Sequence, residues 1–364
     1  MKYSTDEIQS LLDKRGEVYI PDGTYIIDRP LIIRSDTHLR LARNAVLRLA
    51  DHVNCSIMDN EGLYSHETDQ NITVEGGIWD GNNENQQRMP IPNEGVPGDI
   101  NEDMPCDEKL YISNVYIVLM LRFVHTRNLC IKNVTFKNPT SYAIHIADAT
   151  YFNVENVTLD YDLSNKNMDG VHIQGPACFG RITNVMGNAN DDHIALCADG
   201  TVRSEITRGV IEDIDIDGVY CSNGYTGVRL LSRGDAVRNV TIKNIHGAFR
   251  FHAVSFTHHY RLREDRPILL ENIRISDLFI SKPTGEIFPP QHASPAKGQP
   301  LIWFESDITA KNVSIENVYR AADGADAPTV KVSPRAEIEG LTVRNIVDRS
   351  GNGQTFVNEG NVKE

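Results

Sequence analysis

The chain has 364 residues, 40% of them hydrophobic and 24% charged, which is the composition of a protein with a large apolar core. Its formal charge of −14 supplies no broad basic footprint, so nucleic acid is excluded as an expected partner and any polyanion must be gripped by local Arg and Lys. No apolar run approaches the ~18 residues of a membrane-crossing helix, so no membrane partner is expected.

The first residues, Met-Lys-Tyr-Ser-Thr-Asp-Glu, do not read as a secretion signal. The expectation is a cytoplasmic protein or one exported with its leader removed. Residues 4–14 read as a helix: Ser4 with Glu7 forms a capping box, and Ile8, Leu11 and Leu12 share one face. The stretch 16–25, Gly-Glu-Val-Tyr-Ile-Pro-Asp-Gly-Thr-Tyr, reads as strand, Pro-Asp-Gly turn and strand. Short strand-like runs follow at 31–33, 39–41 and 46–49. A helix ahead of such a stack would cover an open sheet edge. The single expected domain, 1–364, thus has a cap and first coils over 1–50.

From about residue 70 a repeat sets the fold. Runs such as 71–77, 128–138, 152–160, 210–218, 237–245, 269–278, 311–318 and 338–346 alternate apolar and polar residues and carry Asn, Asp or Gly at a bend. Aligning Asn133, Asn156, Asn184, Asp213, Asn239, Asn272 and Asn312 gives steps of 23, 28, 29, 26, 33 and 40 residues. Coils of this length with short strands and no helical period cannot bury their inner face alone, so they must stack. The expected fold is all-β, a parallel β-helix with an amino-terminal capping helix. A sandwich or barrel would need hairpin turns between successive repeats, and Asp-Gly turns at Asp22 and Asp80 do not recur. The bend asparagines also explain the Asn-Val-Thr and Asn-Val-Ser triplets at Asn133, Asn156, Asn239 and Asn312 better than glycosylation does. Segments 84–109 and 282–300, rich in Pro and polar residues, break the pattern and read as loops inserted at corners.

The six cysteines, Cys55, Cys106, Cys130, Cys178, Cys197 and Cys221, form no CxxC pair. Cys130, Cys178 and Cys197 are expected to be small buried hydrophobes. No cofactor or metal motif stands out.

Chemistry concentrates in 167–200. Asp169 lies in Asn-Met-Asp-Gly, and 23 residues on, Asp192 follows Asp191 and Asn190. With a coil of that period, three carboxylates meet on adjacent rungs about 4.8 Å apart. Carboxylates that close cannot all ionise freely, so at least one holds its proton. One protonated acid beside ionised neighbours is what inverting glycoside hydrolysis needs. His145, His172 and His193, each followed by Ile, are expected to extend this into a column. Bend capping explains lone aspartates such as Asp213, Asp215 and Asp217, but fits an Asp-Asp pair poorly. Tyr225, Arg229, His258 and His259 are further candidate sugar contacts, with His172 nearer the acids.

Asn-Met-Asp-Gly-Val-His and Asn-Asp-Asp-His-Ile-Ala-Leu resemble the Asn-Thr-Asp-Gly and Gly-Asp-Asp motifs of the polygalacturonase-like glycoside hydrolases, family 28. Residues 16–25, 44–47 and 139–145 are similar to other parts of that family's pattern. The resemblance implies a right-handed parallel β-helix, inverting hydrolysis of an oligo- or polysaccharide, Asp191 as general acid, and Asp169 and Asp192 holding and activating water. Two motifs depart from the family. Gly224-Tyr225-Thr226-Gly227 stands where Gly-His-Gly is expected, and His252-Ala253-Val254-Ser255-Phe256 where the carboxylate-gripping Arg-Ile-Lys is expected. Arg229 offers a cation one rung early, so the substrate need not be galacturonan. Two other readings remain: a β-helical polysaccharide lyase or epimerase, in which the acids would hold Ca²⁺, and a non-catalytic carbohydrate-binding or phage tail-type solenoid.

Overall fold

The computed structural model describes residues 3–86, 119–199, 207–258, 269–284 and 298–363. His259, Cys106 and most of the two expected loops lie outside the described residues.

Every strand pairing among the described residues is parallel, each strand lying against one roughly a coil away in sequence. That is the topology of a right-handed parallel β-helix. Alternation along each strand sends every second residue inward, and equivalent residues stack from coil to coil. One inner column runs Val154, Ile182, Ile216, Ile242, Ile275 and Ile315, all wholly buried. Another runs Ile146, Ile173, Leu196, Leu230, Phe256 and Phe304, where the last two rings stack at 4.2 Å. β-Branched and aromatic residues fit this pleated interior, which is why the runs read so clearly as strands.

The capping helix spans Thr5–Leu12, with Ser4 and Glu7 closing the expected box. It stops two residues short of Lys14 because Asp13 caps it and Arg15 turns left-handed at φ 57°. Ile8 and Leu12 are buried, and Gln9 both accepts from the Ile32 amide and donates to the Ile32 carbonyl. The helix therefore satisfies backbone that would otherwise be an open edge.

One correction concerns the bends. The series of asparagines belongs to two ladders. From Asn128 on, each described coil turns at two single-residue left-handed corners, five residues apart. One ladder holds Asn133, Asn156 and Asn184, then Asn244, Asp277, Asn317 and Asn345. The other holds Asn71 and Asn128, then Tyr151, Phe179, Asp213, Asn239, Asn272 and Asn312. Their carboxamides bond along each ladder: Asn156 donates to Asn133 and Asn272 to Asn239, both at 3.0 Å. Both corners need φ > 0, where Asn is the favoured residue bearing a side chain, so Asn recurs at both.

A second correction concerns the cysteines. Cys197 is buried, but Cys130 and Cys178 are only partly so, because they fall on the outward phase of their strands. Lys282, placed at the start of an inserted loop, is instead buried scaffold: its Nζ donates to the carbonyls of Arg250 and Phe251.

Candidate active site

The site lies where the bend of one coil gives way to the next strand, in the middle of the coil stack. Val171 pairs with Ile194, and the Gly170 amide donates to the Asp192 carbonyl at 2.9 Å. This register sets Asp169 and Asp192 on neighbouring rungs, as the 23-residue spacing predicts. Gly170 is required there, since a Cβ would stand 2.5 Å from the His193 carbonyl oxygen. Asp169 and Asp192 are buried, while Asp191 stays partly exposed at the mouth.

Each carboxylate has its own surroundings. Asp169 Oδ2 accepts from His172 Nδ1 at 3.0 Å, and Tyr161 donates its hydroxyl to the Asp169 carbonyl at 3.1 Å. Asp191 Oδ2 accepts from Asn167 at 3.3 Å. Asp192 Oδ2 faces the Arg229 guanidinium at 3.4 Å. Burial, then the charge of Asp192, pushes Asp169 well above the ordinary carboxylate range. Burial, then Asp192 and Asp169, does the same to Asp191. Burial also raises Asp192, but Arg229 and His172 work against it, so its shift is the mildest of the three. The cluster titrates as a unit, with Asp192 the member best suited to hold the negative charge.

Arg229 stays cationic because Asp192 and Asp191 outweigh the burial that opposes its charge. Burial pulls His172 down to about 4, so its imidazole is neutral near pH 7 and donates Nδ1–H to Asp169. The Tyr142 ring lies flat on it, with centroids 4.3 Å apart. Tyr225 stands beside the acid pair. Burial and the charges of Asp191 and Asp192 push its phenol upward, and its ring packs on Phe251 at 4.2 Å.

The structure thus gathers Asp169, Asp191, Asp192, His172, Tyr225 and Arg229. It does not bring in His258, whose ring is buried and bonds the Ser306 carbonyl at 2.7 Å, while its amide donates to Glu305. The expected histidine column is also revised. His145 and His172 are in register, but the residue opposite His172 is Ala195. His193 lies two residues before Ala195, at the start of the strand Asp192–Asp199, and its ring sits between the carbonyls of Thr226 at 2.8 Å and Gly187 at 3.0 Å. His145 is a buried ladder residue bonded to Gln174 at 2.8 Å. The sequence does not single out Arg250. Asn167, Asn190 and Tyr142 lie within the quoted motifs, but their contacts come from coil stacking and no local pattern shows them. Among the described residues, no group of His, Cys, Asp or Glu is arranged to hold a metal ion.

By fold and site, the molecule is a right-handed parallel β-helix with a carboxylate cluster on its outer strand face. Residues 97–248, which include all six gathered residues, match the model of glycosyl hydrolases family 28. No match is found among curated protein sequences. Solved structures that share the fold include a hyperthermoactive exopolygalacturonase from Thermotoga maritima (12% identity, TM-score 0.67, 100% of this chain and 92% of that one). A polygalacturonase from Erwinia carotovora is similar (15% identity, TM-score 0.60, 99% and 93%). So is a mannuronan C-5 epimerase module from Azotobacter vinelandii (14% identity, TM-score 0.54, 99% and 95%).

Proposed function

We propose that the protein hydrolyses a glycosidic bond of a pectin-like oligo- or polysaccharide with inversion at the anomeric carbon. The observation that carries this reading is the unequal setting of three carboxylates on two adjacent coils. Asp191, partly exposed and held above the carboxylate range, is the general acid. It gives its proton to the glycosidic oxygen as the C–O bond breaks. Asp192, kept anionic by Arg229, takes a proton from a water that attacks the opposite face of the sugar, and Asp169 holds that water with it. His172, neutral, orients Asp169. Tyr225 and Arg229 line the same mouth, the ring suited to a sugar face and the guanidinium to a hydroxyl or a uronate carboxylate.

The match to glycosyl hydrolases family 28 supports the reaction class, and the polygalacturonases sharing the fold support a pectin-like substrate. The epimerase sharing the fold supports the competing uronate chemistry no less directly at the level of fold. A panel of defined galacturonan, xylogalacturonan and neutral oligosaccharides decides between them. NMR should show products of inverted anomeric configuration, insensitive to chelator and lost in Asp191→Asn. Retained configuration, unsaturated products or C5 epimers would overturn the reading.

A further inference from the structure

Outside the roles above, the least explained charged group near the site is Arg250. It is wholly buried, yet two of its three guanidinium nitrogens, Nε and Nη1, have no hydrogen-bond partner among the described residues. Burial without full pairing works against its charge and brings it down to about 10. An apolar residue of similar volume would avoid that penalty.

What Arg250 does hold is specific. It starts two coils after the acid pair: its amide donates to the Gly224 carbonyl, and Thr226, in Gly224's coil, contacts the Asp191 carbonyl. The side chain passes beneath Tyr225, with the guanidinium carbon 5.5 Å from the ring centre. Nη2 then donates to Asn190 Oδ1 at 3.0 Å and to the Ala189 carbonyl at 3.3 Å. Asn190, itself wholly buried, uses its amide nitrogen to bond the carbonyls of Leu163 at 3.1 Å and Asn165 at 2.6 Å. Asn190 therefore ties the bend that ends in Asp191 to the bend that ends in Asp169, and Arg250 fixes Asn190 from behind.

We propose that Arg250 is a positioning residue for the acid: through Asn190 it sets the orientation of Asp191, and it holds a buried positive charge behind the bend that carries Asp191. The inference rests on the hydrolase reading for its kinetic consequence but not for its electrostatic one. Asp192, Asp169, Arg229 and Tyr225 face Asp191 as well, and Arg250 is the charge held behind the loop. Arg229 contacts Asp192, whereas Arg250 reaches the acid through Asn190, so the two arginines serve different aspartates.

The test compares Arg250→Met, Arg250→Lys and Asn190→Ala with the parent. Loss of the cation moves Asp191 further upward, so the alkaline limb of the rate profile, where a protonated acid is lost, shifts to higher pH in Arg250→Met. Misplacement of the acid lowers kcat about 100-fold with KM unchanged. Arg250→Lys keeps the charge and restores the limb while recovering only part of kcat. Asn190→Ala lowers kcat with the limb near its parent position. The protonated carboxyl band of Asp191, isolated in the infrared as parent minus Asp191→Asn, gives the same titration without substrate. If that band shifts in Arg250→Met while the parent turns over no sugar, the hydrolase reading fails and the role of Arg250 stands. If sugar turns over while limb, band and kcat stay put, or if KM alone rises, the proposal is wrong. Should Arg250→Met not fold, the Arg250→Lys and Asn190→Ala comparisons decide alone.

Discussion

At the scale of single residues, three stacked carboxylates are a liability to the fold and an asset only to chemistry. Their folded pKa values are raised, the reverse of the usual salt-bridged aspartate. The folded state therefore binds more protons than the unfolded chain between the ordinary carboxylate value of about 3.9 and the raised ones. Their destabilising contribution is absent below that window and complete above it. Asp191→Asn should accordingly melt at the same temperature as the parent near pH 4 and at a higher one near pH 8, while kcat falls about 10²–10⁴-fold. A lower melting temperature at pH 8 would mean that Asp191 serves the bend. The pair itself was legible in the sequence because a 23-residue spacing equals one coil. The fate of His193 was not, since only the coil register shows that Ala195, two residues further on, stands opposite His172. Arg250 was not legible either: its partners are 60 and 61 residues away.

At the scale of elements, the corner is the repeating device, and it combines two demands. The backbone must turn left-handed, and the side chain must bond the coils on either side. Asn272 meets both: it sits at φ 55°, donates to Asn239 at 3.0 Å and accepts from Asn312 at 3.1 Å. Asn272→Gly loses only the two exposed bonds. Asn272→Ala loses them and also places a Cβ in a left-handed conformation, at an extra cost of about 1 kcal/mol. Denaturant unfolding should rank the two in that order, with Ala less stable; equal losses would leave the bonds as the whole effect. A sharper test lies at Gly170. A Cβ added there meets the His193 carbonyl oxygen at 2.5 Å, and that oxygen is backbone that cannot step aside. Gly170→Ala should shift the Asp169 rung against the Asp192 rung and remove activity while most of the coils persist by circular dichroism. Strand alternation made the coil stacking readable, since an inner column such as Val154–Ile182–Ile216 demands apolar residues at fixed phase. Assignment of each bend asparagine to its ladder was not readable, because two corners with the same backbone requirement select the same residue.

At the scale of the whole molecule, charge and site act in opposite directions on an acidic substrate. The chain carries −14 overall, and the cation nearest the acids, Arg229, already faces all three of them. A polyuronate approaching from solvent therefore meets net repulsion before it meets any local arginine. Screening acts on the long-range part first: the Debye length falls from about 30 Å at 0.01 M salt to about 8 Å at 0.15 M. Short contacts inside the mouth are screened much less. For a de-esterified galacturonan oligomer, KM should fall as salt rises over this range, with kcat nearly constant. A protein that steers its substrate with a basic surface shows the opposite slope. The fully methyl-esterified oligomer of the same length, having no charge, should show no slope at all. Measuring both in parallel separates field from contact. A KM for the acidic oligomer that rises with salt would mean that attraction near the mouth outweighs the charge of the whole chain.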